Sequence, residues 1–294
     1  MEFHPLLAMI TNTRFLWNRG ESRLIKLTPH LARDYNEVHC RRGWNAPSCS
    51  LQQAMYEQRT YRNVVKTDDL VKFEVMVKET DLLIRAERDL SREARESVLT
   101  YRHQLETYIS MNPEFQHSLT PLENNRDVPE IIQEMIRTTQ MANVGPMAAV
   151  AGAIAEWVSK DLMRLSKEVI VENGGDIYLV TSKKRTIGIY AGNSPLSLKI
   201  GIVIEPEEIP LGVCTSSGTV GHSLSFGRAD AVCILSKSAA LADAAATSVG
   251  NIVKEKNDIE RGLERGKEIE GVLGTLIIVG EQLGVWGKIR LTRL

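Results

Sequence analysis

Cys214 to Gly250 reads CTSSGTVGHSLSFGRADAVCILSKSAALADAAATSVG, and the rest of the chain is best interpreted outward from this stretch. It begins with hydroxyl groups and glycines, continues into a short apolar strand over 231–235, and ends in a helix of small residues. A polar loop followed by a strand and a tightly packed helix offers the parts that a ligand site requires. The stretch therefore predicts a binding site in the C-terminal part of the chain.

The loop at the start of this stretch has the composition of a phosphate-binding loop, because its hydroxyls and backbone N–H groups can hold an anion. The candidate groups are Thr215, Ser216, Ser217, Gly218, Thr219 and Gly221. No lysine follows in a GK[ST] arrangement, so the loop is not a P-loop. His222 is interpreted either as a general base or phosphate donor, or as a histidine in an ordinary hydrogen bond. Cys214 could be a nucleophile, but a buried structural thiol is the favoured alternative.

The helix at the end of the stretch carries Asp243 and Thr247, which are four residues apart and therefore share one face. A carboxylate and a hydroxyl side by side are hard oxygen ligands that suit Mg²⁺ bridging to a phosphate. The alternative is a local hydrogen bond between the two side chains. Because Asp243 lies among alanines, an unpaired charge there would be costly. The spacing allows both interpretations, and the nearly apolar surroundings of Asp243 favour a magnesium site.

The preceding part of the chain alternates between strand and helix patterns. Val71–Lys78 has apolar odd positions and mostly charged even ones, which predicts a strand with one buried face. Helices are predicted from Ser91, from near Pro129 and from Pro146. The third is apolar all round and contains Gly152, which costs ~1 kcal/mol relative to alanine. Close approach of another element is the usual reason for such a glycine.

Two predicted strands, 169–171 and 177–180, flank the segment Glu172-Asn173-Gly174-Gly175-Asp176. The favoured interpretation is a hairpin turn, and the alternative is a turn whose backbone approaches a ligand. Further strands are predicted over 186–191, 198–204, 276–279 and 287–294, with a charged helix over 252–270. Strands mixed with buried small-residue helices predict an α+β fold with mixed or antiparallel sheets.

Composition excludes several classes of protein. The chain has 294 residues, 43% of them apolar, and a net charge of −1, which gives no electrostatic case for nucleic acid or an anionic membrane. Four separate cysteines without a CxxC pair argue against zinc or a disulfide framework and favour reduced thiols in the cytoplasm. No apolar run reaches the ~18 residues of a membrane helix.

The first 54 residues lack helix or strand periodicity and are interpreted as a poorly ordered extension, with residues 55–294 as the folded domain. Met55 opens the patterned part and is considered an alternative start. The N-terminal sequence lacks a basic lead and a small-residue cleavage site, so it is not interpreted as a signal peptide.

Four motifs, found in order, resemble the uncharacterised-protein-family (UPF) branch of the ApbE-like superfamily. They are VGPMAAVAGAIAE (144–156), VENGGDIYL (171–179), CTSSGTVGHSLSFGRADA (214–231) and ADAAAT (242–247). The resemblance extends from about Tyr56 to the C-terminus and implies an ApbE-like fold. Characterised ApbE proteins are Mg²⁺-dependent flavin transferases that cleave FAD and attach FMN to a protein threonine.

The resemblance also implies roles for individual residues. Asp243, Thr247 and the backbone carbonyl of Ala153 match the metal-binding positions. Gly174, Gly175 and Asp176, together with the Thr215–Gly218 loop, match cofactor-binding positions. Two departures stand out: His222 is followed by Ser-Leu-Ser-Phe-Gly rather than by Asp-Pro and Thr-Gly, and Glu156 replaces the lysine of the family's GIAKG motif.

Three hypotheses follow. The first is an ApbE-like enzyme in which Mg²⁺ polarises a diphosphate of FAD or a similar nucleotide and His222 assists proton transfer. The second is a protein that binds FAD, FMN or another nucleotide without transfer chemistry. The third, taken from the anaerobe-associated branch that the chain resembles, is an accessory of sulfur incorporation in homocysteine synthesis, where Cys214 would matter. Open sheet edges are compatible with a homodimer.

Overall fold

The computed structural model describes residues 23–26, 69–123, 127–218 and 226–294, and of residues 23–26 it describes the backbone alone. Its largest element is an antiparallel sheet of nine strands in the order β1-β11-β10-β9-β8-β5-β4-β3-β2. These strands are β1 (Arg23–Lys26), β2 (Val71–Val77), β3 (Thr80–Ala86), β4 (Val169–Asn173), β5 (Asp176–Val180), β8 (Leu211–Ser216), β9 (Ala231–Ser236), β10 (Val272–Val279) and β11 (Gln282–Gly287).

A second, three-stranded sheet in the order β12-β7-β6 packs on one face of the large sheet. Its strands are β6 (Arg185–Gly188), β7 (Ile200–Ile204) and β12 (Leu291–Arg293). Ile187 and Ile202 of the small sheet share one hydrophobic cluster with Val213 and Leu276 of the large sheet. This face of the large sheet therefore contributes to a sheet-on-sheet core.

Helices cover the opposite face. They are α1 (Ser91–Met111), α2 (Glu114–His117), α3 (Glu130–Ala142), α4 (Val150–Leu162), α5 (Ala239–Ile252) and α6 (Ile259–Glu268). The predicted start at Pro146 is a short 3₁₀ helix, Pro146–Ala149, that leads into α4. The alanine-rich faces of α4 and α5 lie in one cluster with Tyr178 and Cys214 of the large sheet. Small side chains let both helices approach the sheet closely, and the α+β prediction is confirmed.

The polar pattern of the sequence explains the edge of the large sheet. In β2, the side chains of Phe73, Val75 and Val77 are buried. Lys72 before Phe73 and Glu74 after it are exposed. This alternation matches the period of a strand with one face in the core.

Among the helices that the structure describes, none combines the length and the apolarity that crossing a membrane requires.

An ion-pair network around the buried Arg185 ties the segment before β2 to the start of β6. Both guanidinium nitrogens of Arg185 donate to the Asp69 carboxylate, at 2.7 and 3.0 Å, and Arg185 also reaches Glu168 at 3.3 Å. Lys183 adds a 2.8 Å contact to Asp69. These hydrogen bonds, from Arg185 first and Lys183 second, hold the pKa of Asp69 well below its usual range. The network joins chain segments more than 100 residues apart.

Several predicted boundaries were wrong. The strand predicted over 198–204 is Ile200–Ile204, and the one over 186–191 is Arg185–Gly188. The charged helix predicted over 252–270 is interrupted: α5 ends at Ile252, and α6 begins at Ile259 after a short 3₁₀ helix. The N–H of Arg228 donates to the carbonyl of Val253 at 2.8 Å, which engages that carbonyl outside a helix.

Within the predicted N-terminal extension, Arg23–Lys26 pairs with β11, with Arg23 opposite Val285 and Lys26 opposite Gln282. This short segment is therefore a strand at the sheet edge. Met55 and the remainder of residues 1–54 lie outside the described part of the chain, and the division at residue 54 stays a prediction.

Candidate metal and nucleotide site

The candidate site is built around the closest approach of α4 and α5. A Cβ atom placed on Gly152 would lie 2.2 Å from the carbonyl oxygen of Ala239 and 2.9 Å from Cβ of Asp243. Only a glycine allows the two helix backbones to come this near. The close approach explains why α4 retains a residue that weakens an isolated helix.

Asp243 projects from α5 onto the N-terminal turn of α4. Its Oδ2 accepts a hydrogen bond from the N–H of Gly152 at 2.9 Å, and the N–H of Ala151 donates to the same carboxylate. The first N–H groups of a helix have no partner within it, and they favour a negative charge. The residue as a whole is half-buried, but its carboxylate is surrounded by protein. This desolvation raises the pKa of Asp243 to about 7, against the opposing effect of the two hydrogen bonds.

A second carboxylate, that of Asp176, belongs to the sheet and directly follows the glycine turn. Asn173 and Asp176 pair across the turn, and Gly174 and Gly175 between them have φ angles of 67° and 105°. The hairpin interpretation is thus confirmed. The side-chain amide of Asn173 donates to the carbonyl of Ala151 at 3.1 Å, which fixes the hairpin to the first turn of α4.

Asp176 is 8% exposed and begins β5 on the face that meets the helices, since Tyr178 two residues on lies in the helix-side core. Its carboxylate accepts a hydrogen bond from the N–H of Thr215 and lies beside the Cys214 thiol. Desolvation first, and the neighbouring charge of Asp243 second, raise the pKa of Asp176 well above its usual range. Two carboxylates from different layers of the fold are therefore close enough for their charges to interact.

Cys214 lies beneath this pair. It is 0% exposed, and its thiol donates to the carbonyl of Ala239 at 3.3 Å. Burial raises its pKa well above the usual value, and the charges of Asp176 and Asp243 act in the same direction. Cys233 is also buried but faces the other side of the sheet. This environment keeps Cys214 protonated and favours the structural-thiol alternative over a nucleophile.

The predicted phosphate loop is in part a strand. Thr215 and Ser216 are the last residues of β8, paired with Cys233 and Val232 of β9, so their backbones are not those of a free loop. Thr215, Ser216 and Ser217 are half-buried, and Gly218 is exposed. The N–H of Gly218 donates to the carbonyl of Ala229 at 2.9 Å. A Cβ placed on Gly175 would lie 3.8 Å from the carbonyl oxygen of Thr215, so the glycine turn and the end of β8 are neighbours.

Three predicted site residues, Thr219, Gly221 and His222, lie outside the described residues, and their roles stay predictions. Ala153 is fully buried within α4. A carbonyl inside a helix normally accepts from the residue four positions on. Its predicted contribution to a metal site likewise stays a prediction.

Thr247 follows Asp243 by one turn and is half-buried. In the part of the chain that the structure describes, its hydroxyl makes no hydrogen bond with Asp243. The local Asp–Thr pair, which was the alternative to a metal site, is not formed.

The oxygen atoms present fit a magnesium ion. No lysine or arginine of the described segments forms a hydrogen bond or ion pair with Asp176 or Asp243. Two buried carboxylates without a cationic side chain are what a divalent cation would neutralise. Among the described residues no three His, Cys, Asp or Glu side chains form a metal cluster. Hydroxyl, water and phosphate oxygens would have to complete the coordination, as is usual for Mg²⁺.

Glu156 has a structural role that the sequence did not reveal. It is 5% exposed, and its Oε2 accepts from the N–H of Ala239 at 2.7 Å and from the hydroxyl of Ser238 at 3.1 Å. Its Oε1 forms an ion pair with Lys160 at 2.9 Å. Glu156 therefore caps the start of α5, the helix that carries Asp243. Sequence reasoning had noted it only as a departure from a motif, although Ser238 was a recognisable capping signal.

Comparison with known proteins agrees with this architecture. A family model described as AbpE bacteria matches residues 62–284. A UPF0280 protein of Methanocaldococcus jannaschii is 44% identical over 221 residues, which cover 73% of this chain and 90% of the relative. A UPF0280 protein of Methanosarcina acetivorans is 41% identical over 227 residues, covering 76% and 89%.

Solved structures show the same fold at low sequence identity. The apo form of Pseudomonas stutzeri flavinyl transferase ApbE matches with a TM-score of 0.50 and 14% identity, covering 78% of this chain and 95% of that one. A variant of the flavin transferase ApbE from Vibrio cholerae matches with a TM-score of 0.50 and 13% identity, covering 74% and 96%. Together with the family match, these findings confirm the resemblance: the chain belongs to the UPF0280 family of the ApbE-like superfamily.

Proposed function

We propose that this protein binds a flavin or another diphosphate-containing nucleotide, FAD first among them, through a Mg²⁺ ion. We propose further that it cleaves the diphosphate bond, with water or an acceptor hydroxyl attacking the FMN phosphorus and AMP leaving. The observation that carries the proposal is the Asp243 carboxylate. This carboxylate is desolvated where α4 and α5 meet, and it lies next to a second carboxylate. Of the residues that the structure describes, no lysine or arginine pairs with it. The flavin transferases with the same fold make FAD the first ligand to test.

In this proposal Asp243 and Thr247 hold the ion from adjacent turns of α5. The first N–H groups of α4 orient Asp243. The Gly174-Gly175 turn leaves room for a ligand to approach the backbone, since a Cβ on Gly174 would meet no atom within 4 Å. Bound Mg²⁺ would supply charge neutralisation and polarise a phosphoryl oxygen. Without it, two carboxylates would repel an anionic diphosphate.

The alternative of an accessory role in sulfur incorporation gains no support from the geometry. That role would need an accessible sulfur nucleophile, and Cys214 is fully buried with a raised pKa.

The experiment compares purified wild-type protein with Asp243→Asn in the presence of FAD, with Mg²⁺ or with EDTA. Binding is measured by equilibrium dialysis, and FMN and AMP are separated by chromatography. Asp161→Asn is the matched control, because Asp161 lies on α4 but bonds to Ser97 of α1 instead of the site.

We expect the wild type and Asp161→Asn to bind FAD and release AMP only with Mg²⁺, and Asp243→Asn to do neither. Binding without release would remove the cleavage part of the proposal and leave a nucleotide-binding protein. Equal FAD binding by the wild type in Mg²⁺ and in EDTA would refute the metal role.

A further inference from the structure

We propose that Asp176 is a protein ligand of the same cation as Asp243 and Thr247, so that the site is built from two carboxylates and one hydroxyl contributed by both the sheet and the helix layer. This inference rests on the proposed function and extends it to a residue so far matched only to a cofactor-binding position.

The first support is that the elements carrying Asp176 and Asp243 both contact the first turn of α4. The helix α4 begins at Val150, and its first residues are contacted from two sides. Asp243 of α5 accepts from the N–H of Gly152, and Asn173, the hairpin partner of Asp176, donates to the carbonyl of Ala151. Adjacent residues of one helix turn thus fix the positions of both acidic elements.

The second support is that Asp176 is buried and that, among the described residues, no lysine or arginine offsets its charge. It is 8% exposed, and its partners are a backbone N–H and a thiol, both weak substitutes for water around a full charge. A buried hydrogen bond alone would be satisfied equally well by asparagine. A carboxylate that faces another carboxylate is a costly choice unless a cation lies between them.

The third support is the turn that delivers Asp176. Gly174 and Gly175 both have positive φ angles, which fixes a tight two-residue connection. Asp176 is therefore the first residue after the turn, at the end of β5 that borders the Gly174-Gly175 opening. An oxygen at this position can reach an ion that also contacts a ligand entering over the turn.

The test measures Mg²⁺ binding by isothermal titration calorimetry on the full chain, without nucleotide. The variants are Asp176→Asn, Asp243→Asn as the reference loss, and Asp161→Asn as the control. We expect Asp176→Asn to weaken Mg²⁺ binding by ~10-fold or more, Asp243→Asn to abolish it, and Asp161→Asn to leave it unchanged. The metal-free thermal midpoint verifies folding, and Asp176→Asn should equal or exceed the wild type there because it removes a like charge.

A second measurement separates a ligand from a neighbouring charge. Water-proton relaxation by bound Mn²⁺ counts the water molecules on the ion. Asp176→Ala removes the oxygen, so the ion should gain one water if Asp176 is a ligand. An unchanged affinity in Asp176→Asn, or an unchanged water count in Asp176→Ala, would overturn the inference while the Asp243 site stands. Absence of Mg²⁺ and Mn²⁺ binding in the wild type would overturn both the inference and the proposed function.

Discussion

Replacing Gly152 by alanine tests the packing on which the candidate site depends. The new Cβ would lie 2.2 Å from the carbonyl oxygen of Ala239, about 1 Å closer than a carbon–oxygen contact normally permits. Because the obstacle is helix backbone, α4 and α5 must separate. Overpacking costs roughly 1–3 kcal/mol, and a clash with backbone belongs at the upper end, about 3 kcal/mol, from which the gain in helix propensity subtracts about 1 kcal/mol. We expect a net loss of about 2 kcal/mol, which lowers the melting temperature by roughly 4–8 °C.

The assay is thermal and urea unfolding in EDTA, with Gly262→Ala as the matched control. A Cβ on Gly262 would meet methyl carbons, Val253 Cγ2 at 2.6 Å and Ile277 Cδ1 at 2.7 Å, which can move more easily than backbone. We expect Gly262→Ala to lose less than half as much stability. Mg²⁺ affinity should fall in Gly152→Ala alone, because the N–H of Gly152 holds Asp243. A Gly152→Ala protein as stable as the wild type would refute the reasoning.

Three further predictions follow from the buried charges. Since the folded-state pKa of Asp243 is about 7 and its ordinary value is 3.8, the folded protein binds more protons between these values. Metal-free stability should therefore fall as the pH rises from about 4 to 7, by up to ~4 kcal/mol, and Asp243→Asn should remove that part of the pH dependence in urea titrations. Glu156→Ala should cost about 1–2 kcal/mol of unfolding free energy because the first N–H of α5, that of Ala239, loses its acceptor, with Glu156→Gln retaining more. Equal urea midpoints for Glu156→Ala and the wild type would contradict this. Arg185→Met should cost roughly 3 kcal/mol because it leaves the buried Glu168 carboxylate without its arginine, whereas Lys183→Met, at a 59% exposed side chain, should cost less than ~1 kcal/mol. Similar losses in the two variants would contradict the assignment.

The sequence was informative wherever a feature is local. The alternation in Val71–Val77, the two glycines of the hairpin and the shared face of Asp243 and Thr247 depend on neighbours within one strand, turn or helix. The family motifs added the superfamily, which the comparisons confirm.

The remaining features depend on contacts between distant segments. Asp176 and Asp243 are 67 positions apart, and their meeting requires the strand register, the packing of α4 and the contact at Gly152 together. Glu156 caps a helix that begins 83 residues later. Thr215 and Ser216 have loop composition, but pairing with β9 makes them strand residues. No local pattern carries this information.

Asp176 and Asp243 also mark the boundary between the sheet and the helix layer. One belongs to the sheet and the other to the helix layer, so their mutual repulsion acts across the boundary between the layers. In the metal-free protein we expect local opening to begin between the hairpin 173–176 and the middle of α5. A cation bound by both acids would stabilise the contact between the two layers. Metal binding at the candidate site would then control how firmly the layers are held together.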